Sequence, residues 1–195
     1  MAEKWFDLIK DNYIYIFYAG EDGEYVLIPN YPDQIQDSMV STYQSTNALS
    51  RSAPVYSYSY SGPRTVRVSV DLHRDMLDLV NVNVSNLKID NIEDDYVDTI
   101  VKRLQSISVP AYNSSTKAVQ PPMVAVRFGN EVFIKGIVNG NIDVSYNKPI
   151  LTGNRYAQVS IAFNIVEVDP YDAATIAEQG SFRGITKTWL KGPFN

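Results

Sequence analysis

From residue 121 to residue 171 apolar side chains recur at every second position, with almost no helical periodicity between them. That period places one face of each segment in a core and the other toward solvent, so the stretch predicts neighbouring antiparallel strands. Four are read from it: Met123 to Phe128, Glu131 to Val138, Asn141 to Tyr146 and Arg155 to Val168. Gly129-Asn130 and Gly140-Asn141 supply the positive-φ residues that tight hairpins need, and Asn147 to Asn154 makes a longer loop with Pro149 and Gly153. The last strand is far longer than the usual length of about 5 to 6 residues, which predicts that it overhangs the body or bends.

Upstream, Asn12 to Tyr18 and Glu24 to Ile28 flank the turn signal Glu21-Asp22-Gly23 and predict a first hairpin. Pro29 to Ala53 is rich in Asn, Pro, Asp, Gln, Ser and Thr, with Ile35, Met39, Val40 and Leu49 scattered through it, and reads as a long irregular loop. Loops of that length are commonly functional or ordered by a partner. Tyr56, Tyr58 and Tyr60 alternate with Ser57, Ser59 and Ser61, which puts three tyrosines on one strand face. After Gly62-Pro63, Val66, Val68, Val70 and Leu72 face one way and Thr65, Arg67, Ser69 and Asp71 the other. This half-buried strand is expected to pair with the tyrosine strand.

Arg74 to Val80 suits a short helix, whereas Asn81 to Ile89 stays open between strand and loop because Val82, Val84 and Leu87 keep no single period. Ile92 to Ile107 is the convincing helix: Val97, Ile100, Val101 and Leu104 form one apolar stripe. Glu93, Asp94 and Asp95 in its first turn and Lys102 and Arg103 near its end match the helix dipole, and Pro110 stops it. Asp172 to Glu178 is helix-like. The tail beyond it carries Phe182, Ile185, Trp189, Leu190 and Phe194, too apolar for a solvated linker, so it is expected to pack on its own body or on another chain. The fold class is therefore mainly β (α+β), with a β domain over residues 1–171 and a C-terminal arm over 172–195.

The bulk numbers narrow the function. A chain of 195 residues suits one domain. The absence of cysteine removes disulfides, thiolate nucleophiles and Cys-based zinc sites, and the single histidine, His73, removes multi-His metal centres. A net charge of −5 without a long run of one sign attracts neither nucleic acid nor an anionic membrane. Glu3, Lys4, Asp7, Lys10 and Asp11 interrupt the N-terminal segment, which is thus neither a secretion signal nor a membrane span. Fourteen tyrosines stand against two tryptophans and seven phenylalanines. Tyrosine suits a surface that is apolar toward a partner and wet at its tip, and it is equally a good strand residue.

Catalytic signatures do not assemble. His73-Arg74-Asp75 has the order of the kinase catalytic triplet, but position 80 is Val where the metal-binding Asn belongs, and no Gly-rich loop or Asp-Phe-Gly accompanies it. His73 is better read as a strand-ending residue bonded to backbone. Asp90, Glu93, Asp94 and Asp95 lack the spacing and glycine of a calcium loop and read as a solvated helix N-terminus. Gly-x-Ser-x-Gly, P-loop and dinucleotide motifs are missing, and no carboxylate pair is singled out for glycoside cleavage. Asn83-Val84-Ser85 and Asn113-Ser114-Ser115 fit the glycosylation triplet but lack a secretion signal to go with it. The expectation is a non-enzyme with no catalytic residue, no cofactor and no metal.

Several segments taken in order carry a family likeness. They are the polar loop into Ser50-Arg51-Ser52-Ala53-Pro54, the strand Pro63 to His73, a helix, Pro121-Pro122 with Met123 to Gly129, Gly136-Ile137-Val138, and Tyr156 to Tyr171. In that order, over roughly residues 25 to 171, the chain resembles the tube and baseplate-hub proteins of contractile phage tails and contractile injection systems. The resemblance implies a β-barrel or sandwich subunit with one flanking helix. Its strands would join those of its neighbours in a homo-oligomeric ring, six-fold or pseudo-six-fold, around a central channel. The implied partners are other tail tube and baseplate proteins, with no direct membrane contact and no specific nucleic-acid recognition. The implied location is the virion, assembled in the host cytoplasm.

Some hub members carry a LysM module after the tube-like part, for which the chain up to Asn195 has no room; a baseplate hub, tube-initiator or adaptor role without cell-wall binding is expected. The tail tube protein itself and a β-sandwich carbohydrate-binding module are the alternatives. Arg51, Tyr56, Tyr58, Tyr60, Phe182, Trp189 and Phe194 are the expected contact residues, since aromatics and arginine most often anchor interfaces.

Overall fold

A computed structural model of the chain describes residues 12–17, 24–47, 49–77, 94–112, 119–120, 122–129, 131–168 and 173–178. The strands are β1 (Asn12–Phe17), β2 (Glu24–Leu27), β3 (Gln34–Ser38), β4 (Ser41–Thr46), β5 (Val55–Ser61), β6 (Thr65–His73), β7 (Ala111–Tyr112), β8 (Val119–Gln120), β9 (Met123–Phe128), β10 (Val132–Val138), β11 (Asp143–Leu151) and β12 (Arg155–Glu167). The helices are α1 (Arg74–Leu77), α2 (Tyr96–Ser106) and α3 (Ala173–Glu178). The protein is mainly antiparallel β, as the alternation predicts.

One sheet holds the core, in the order β2-β1-β9-β10-β12-β6-β3, with β11 also on β12. β12 is its spine. One edge pairs with β6 from Gln158↔His73 to Val166↔Thr65. The other pairs with β10 at Gly136↔Glu167 to Val138↔Ile165 and with β11 from Asp143↔Ala162 to Leu151↔Arg155. β10 and β11 thus lie end to end along one long strand, and the predicted overhang shrinks to the first residues of β12. Val159, Ile161, Phe163 and Ile165 of β12 are buried with Val66, Val68, Val70 and Leu72 of β6. Each such side chain contributes about 1.5–3 kcal/mol by leaving water.

At the crossing of β10 and β12 the backbones leave no room for a side chain. A Cβ on Gly136 would stand 2.0 Å from the carbonyl oxygen of Val166, so only glycine fits there. β1 is buried on both faces, with Ile14 and Ile16 on one and Tyr13 on the other, where Tyr13 meets Tyr25 of β2 edge-on. Such a two-sided strand reads as a near-continuous apolar run, which is how Asn12 to Tyr18 looks in the sequence.

α2 is set by its ends. Asp95 is the N-cap: its side chain accepts from the Asp98 backbone N–H at 2.9 Å, and the Asp98 carboxylate accepts in return from the Asp95 N–H. This reciprocal cap starts the helix at Tyr96, later than the predicted Ile92; residues 92 and 93 lie outside the described residues. Val97, Ile100, Val101 and Leu104 are buried in the main core, as their spacing predicts. The Tyr96 hydroxyl donates to the Leu27 carbonyl at 3.2 Å and Arg103 pairs with Glu24 at 3.1 Å, which ties the helix to β2.

Three expectations need correction. β11 runs on to Leu151 through a register shift between Asn147 and Ile150, so the expected loop from Asn147 to Asn154 shrinks to the turn at residues 152–154. The segment from Pro29 to Ala53 is not an irregular loop, because β3 and β4 lie within it. Both are exposed along nearly their whole length, so they carry no apolar alternation from which a strand could be read. The tyrosine strand β5 pairs with β4 and not with β6, whose edges are taken by β12 and β3. The chain runs onward from β5 to β6 through Gly62-Pro63-Arg64 without folding back. β3–β4 and β5–β6 therefore form the two sides of one long ribbon, half of it inside the main sheet.

Candidate assembly surface

The outer half of this ribbon, β4 with β5, is a separate two-stranded sheet that projects as an arm. A single backbone hydrogen bond at the junction, Gly62 N–H to the Val40 carbonyl at 2.7 Å, carries the ladder across from the body. Strands of this length reach roughly 20 Å at about 3.3 Å per residue. From Met39 to Pro63 the only charged residue is Arg51, which is exposed near the tip. Tyr43, Tyr56, Tyr58 and Tyr60 are all more than half exposed, and Leu49 at the tip is fully so. Solvated hairpins normally carry charges or prolines in their strands to prevent edge-to-edge association, and this one carries only Ser, Thr, Gln, Val and Tyr there.

The tyrosines divide between two faces. The register shifts between Thr42 and Tyr43, so that Tyr58 stands opposite Tyr43 whereas Tyr60 stands opposite Thr42. Thr42 and Tyr43 are consecutive and point to opposite faces, so this bulge turns Tyr60 away from Tyr56 and Tyr58. Two contacts agree: the Tyr43 and Tyr58 rings meet edge-to-face at 5.6 Å, and the Tyr58 hydroxyl donates to Ser61 Oγ at 2.7 Å. The expected common face of Tyr56, Tyr58 and Tyr60 is therefore wrong, and the face holds Tyr43, Tyr56 and Tyr58 instead, because strict alternation in the sequence does not register a bulge.

The arm is anchored by a residue that the sequence reading did not single out. Arg64, buried to 4% exposure, donates from Nε to Asp37 Oδ1 at 2.9 Å and from Nη2 to Asp37 Oδ2 at 2.7 Å. Its Nη1 donates to the Phe133 carbonyl at 3.1 Å and lies 3.9 Å from the Glu167 carboxylate, while the Glu167 N–H donates to the Arg64 carbonyl at 2.9 Å. One guanidinium thereby joins β3, β10 and β12 at the root of the arm. An arginine beside a strand looks like a surface residue in sequence; only the long-range contacts reveal it.

The opposite end of the ribbon carries carboxylates. Asp71, near the end of β6, accepts from Gln158 Nε2 at 3.3 Å, and its carbonyl accepts from Asn30 Nδ2 at 2.9 Å. Asp33, immediately before β3, is exposed; its carboxyl is raised above the ordinary value by a hydrogen bond with Asp71 and by that neighbour's charge, and His73 opposes the shift. His73 ends β6, as expected.

A second charged cluster fastens α2. Arg74 donates from Nε to the Tyr156 carbonyl at 2.8 Å and from Nη2 to Asp98 at 2.8 Å, and it also pairs with Asp95. Arg155 approaches Asp95 at 3.2 Å and Asp98 at 3.4 Å. Of the carboxylates read from sequence as a solvated helix N-terminus, Asp95 is paired with the two arginines beside a cleft of about 200 Å³ and Asp94 with Lys102, whereas Asp90 and Glu93 lie outside the described residues. Among the described residues no group of three or more His, Asp or Glu could hold a metal ion, and no helix is long and apolar enough to cross a membrane. Burial, and behind it the neighbouring Tyr13 and Tyr15, pushes the Tyr25 phenol well above its usual range.

Of the expected contact residues, Arg51, Tyr56, Tyr58 and Tyr60 come together on the arm, whereas Phe182, Trp189 and Phe194 lie outside the described residues. So do the turn at residues 21–23, the ambiguous segment 81–89, the rest of the C-terminal tail and both glycosylation triplets.

The fold and surface together define an antiparallel β protein with a projecting hairpin arm. No family model matches the chain, and no curated protein matches it. Among solved structures it is similar to a chain in the tail of an empty GTA particle, obtained by helical refinement with C6 symmetry. The TM-score is 0.39 and the identity 14%, over 84% of this chain and 97% of that one.

Proposed function

We propose that the protein is a structural subunit of a contractile tail, most specifically a baseplate hub, tube-initiator or adaptor that forms a ring around the central channel. The observation that carries this reading is the arm: a charge-poor hairpin with its tyrosines and both outer edges in water, held rigidly at its root by a buried arginine. An isolated monomer gains nothing from such an arm, whereas in an assembly its aromatic faces and free backbone edges find partners. Among the described residues the outer strands β2 and β3 end the main sheet, and on this reading neighbours close those edges. The order of sequence segments described above supports the particular family, and the location follows from it: the virion, assembled in host cytoplasm beside other tube and baseplate proteins. The protein acts through its interfaces, without catalysis or cofactor.

The tail tube protein itself shares these features and is the nearest alternative. A carbohydrate-binding module would offer a flat aromatic platform, and the edge-to-face Tyr43–Tyr58 pair and the turned Tyr60 do not favour it. The test replaces residues 39–63 by a short Asn-Gly turn joining β3 to β6. The shortened protein is expected to keep its folded body and to lose the large assemblies that the full chain forms; undiminished assembly would refute the role of the arm.

A further inference from the structure

The turn between β10 and β11 carries the one Asn-Gly dipeptide of the chain, Asn139-Gly140. Both residues are exposed and lie between the strands, which end at Val138 and resume at Asp143. Asn139 is held by its backbone, whose N–H donates to the Asn164 carbonyl at 3.0 Å. Its side-chain amide and the Gly140 N–H have no hydrogen-bond partner among the described residues. Gly140 has a φ of +91° and open space where a side chain would stand. Its peptide nitrogen is therefore free to approach the neighbouring side-chain carbonyl. Other asparagines lack one or more of these conditions. Asn12 and Asn30 commit their side-chain amides to backbone carbonyls, and Asn147 donates to Ser160 Oγ at 3.1 Å. Asn141 is followed by Ile142, whose branched side chain crowds the peptide nitrogen.

We propose that Asn139 is a site of spontaneous deamidation and backbone isomerisation. The Gly140 nitrogen gives up its proton to base and attacks Asn139 Cγ; the new C–N bond forms, the Cγ–Nδ2 bond breaks and ammonia leaves, which closes a cyclic imide. Water then opens the ring. Cleavage of the new bond yields aspartate, whereas cleavage of the original peptide bond yields isoaspartate, in which the main chain runs through the side-chain carbons. The sum consumes one water and releases one ammonia, with no oxidant or cofactor. Either product adds a negative charge to a chain of net charge −5, at a turn that already leads into the exposed Asp143. Isoaspartate also inserts a methylene into the main chain directly after Val138↔Ile165, the pair at which β10 leaves β12. The reaction belongs to the single chain and goes beyond the assembly reading without depending on it.

The test incubates the full chain in mildly alkaline buffer made with heavy-oxygen water and maps its peptides by mass spectrometry over time, with enzymatic methylation as the readout for isoaspartate. Asn139 is expected to convert about tenfold or more faster than Asn141 in the same sample, since only glycine leaves the attacking nitrogen uncrowded. The conversion is expected to speed up with rising pH, to carry heavy oxygen into the new carboxylate, and to yield isoaspartate as well as aspartate. Asn139→Gln is expected to remove the isoaspartate signal. Conversion no faster than at Asn141, or aspartate without isoaspartate, would overturn the proposal. So would a product free of heavy oxygen, which would place the reaction in the digestion and not in the folded chain.

Discussion

Arg64 shows how much of this architecture turns on single side chains. Removing it as Arg64→Met leaves the Glu167 carboxylate, 7% exposed, beside an apolar neighbour and strips Asp37 of its fork. We expect a loss of about 2–4 kcal/mol in urea unfolding, somewhat below the full cost of orphaning a buried charge because Asp37 is about one-third exposed. Cleavage in the arm should accelerate with it, since the root is no longer pinned.

Gly136→Ala should cost at least the about 1–3 kcal/mol of ordinary overpacking, because the atom it would meet at 2.0 Å is backbone and not a side chain that can turn aside. A melting temperature unchanged by that substitution would contradict the β10–β12 crossing. Asp33 gives the pH dependence. Its raised pKa means that the folded chain holds this proton more tightly than the unfolded one. The associated stability is present at low pH and fades as pH rises through the folded pKa. Asp33→Asn should therefore raise the thermal midpoint near neutrality and give no gain below the ordinary carboxylate range.

At the scale of elements, legibility followed burial. β6, β9, β10 and β12 were readable because alternate positions enter the core, as Val66 to Leu72 do, and α2 because its stripe and acidic first turn are both local signals. β3 and β4 were not, since apart from Ile35 and Tyr43 the segments Gln34–Ser38 and Ser41–Thr46 are polar, and one apolar residue each gives no alternation from which to read the strands that β6 and β5 pair with. The tyrosines of the arm were legible as residues and their arrangement was not, because a one-residue bulge leaves no mark on the alternation of Tyr and Ser. The Arg64 clamp and the Asp33–Asp71 pair depend on pairing across the ribbon, which the sequence does not display. A prediction belongs here: a Lys at Ser57, in the middle of β5, should leave the fold intact, because both faces of β5 are in water, and should block association through this arm. Circular dichroism and sedimentation together check both halves.

For the molecule as a whole, the described residues form one body around β12, with the arm leaving it through residues 39–40 and 62–64. On the proposed reading the body supplies rigidity and the arm supplies contact, a division of labour that suits a subunit whose function is geometric. The most direct test of that claim is electron microscopy of the purified full-length chain in negative stain over a range of concentrations. The account predicts rings with a central channel, six-fold or pseudo-six-fold, that disappear when residues 39–63 are replaced by a short turn. Uniform particles the size of a single 21.9 kDa chain at every concentration would contradict it.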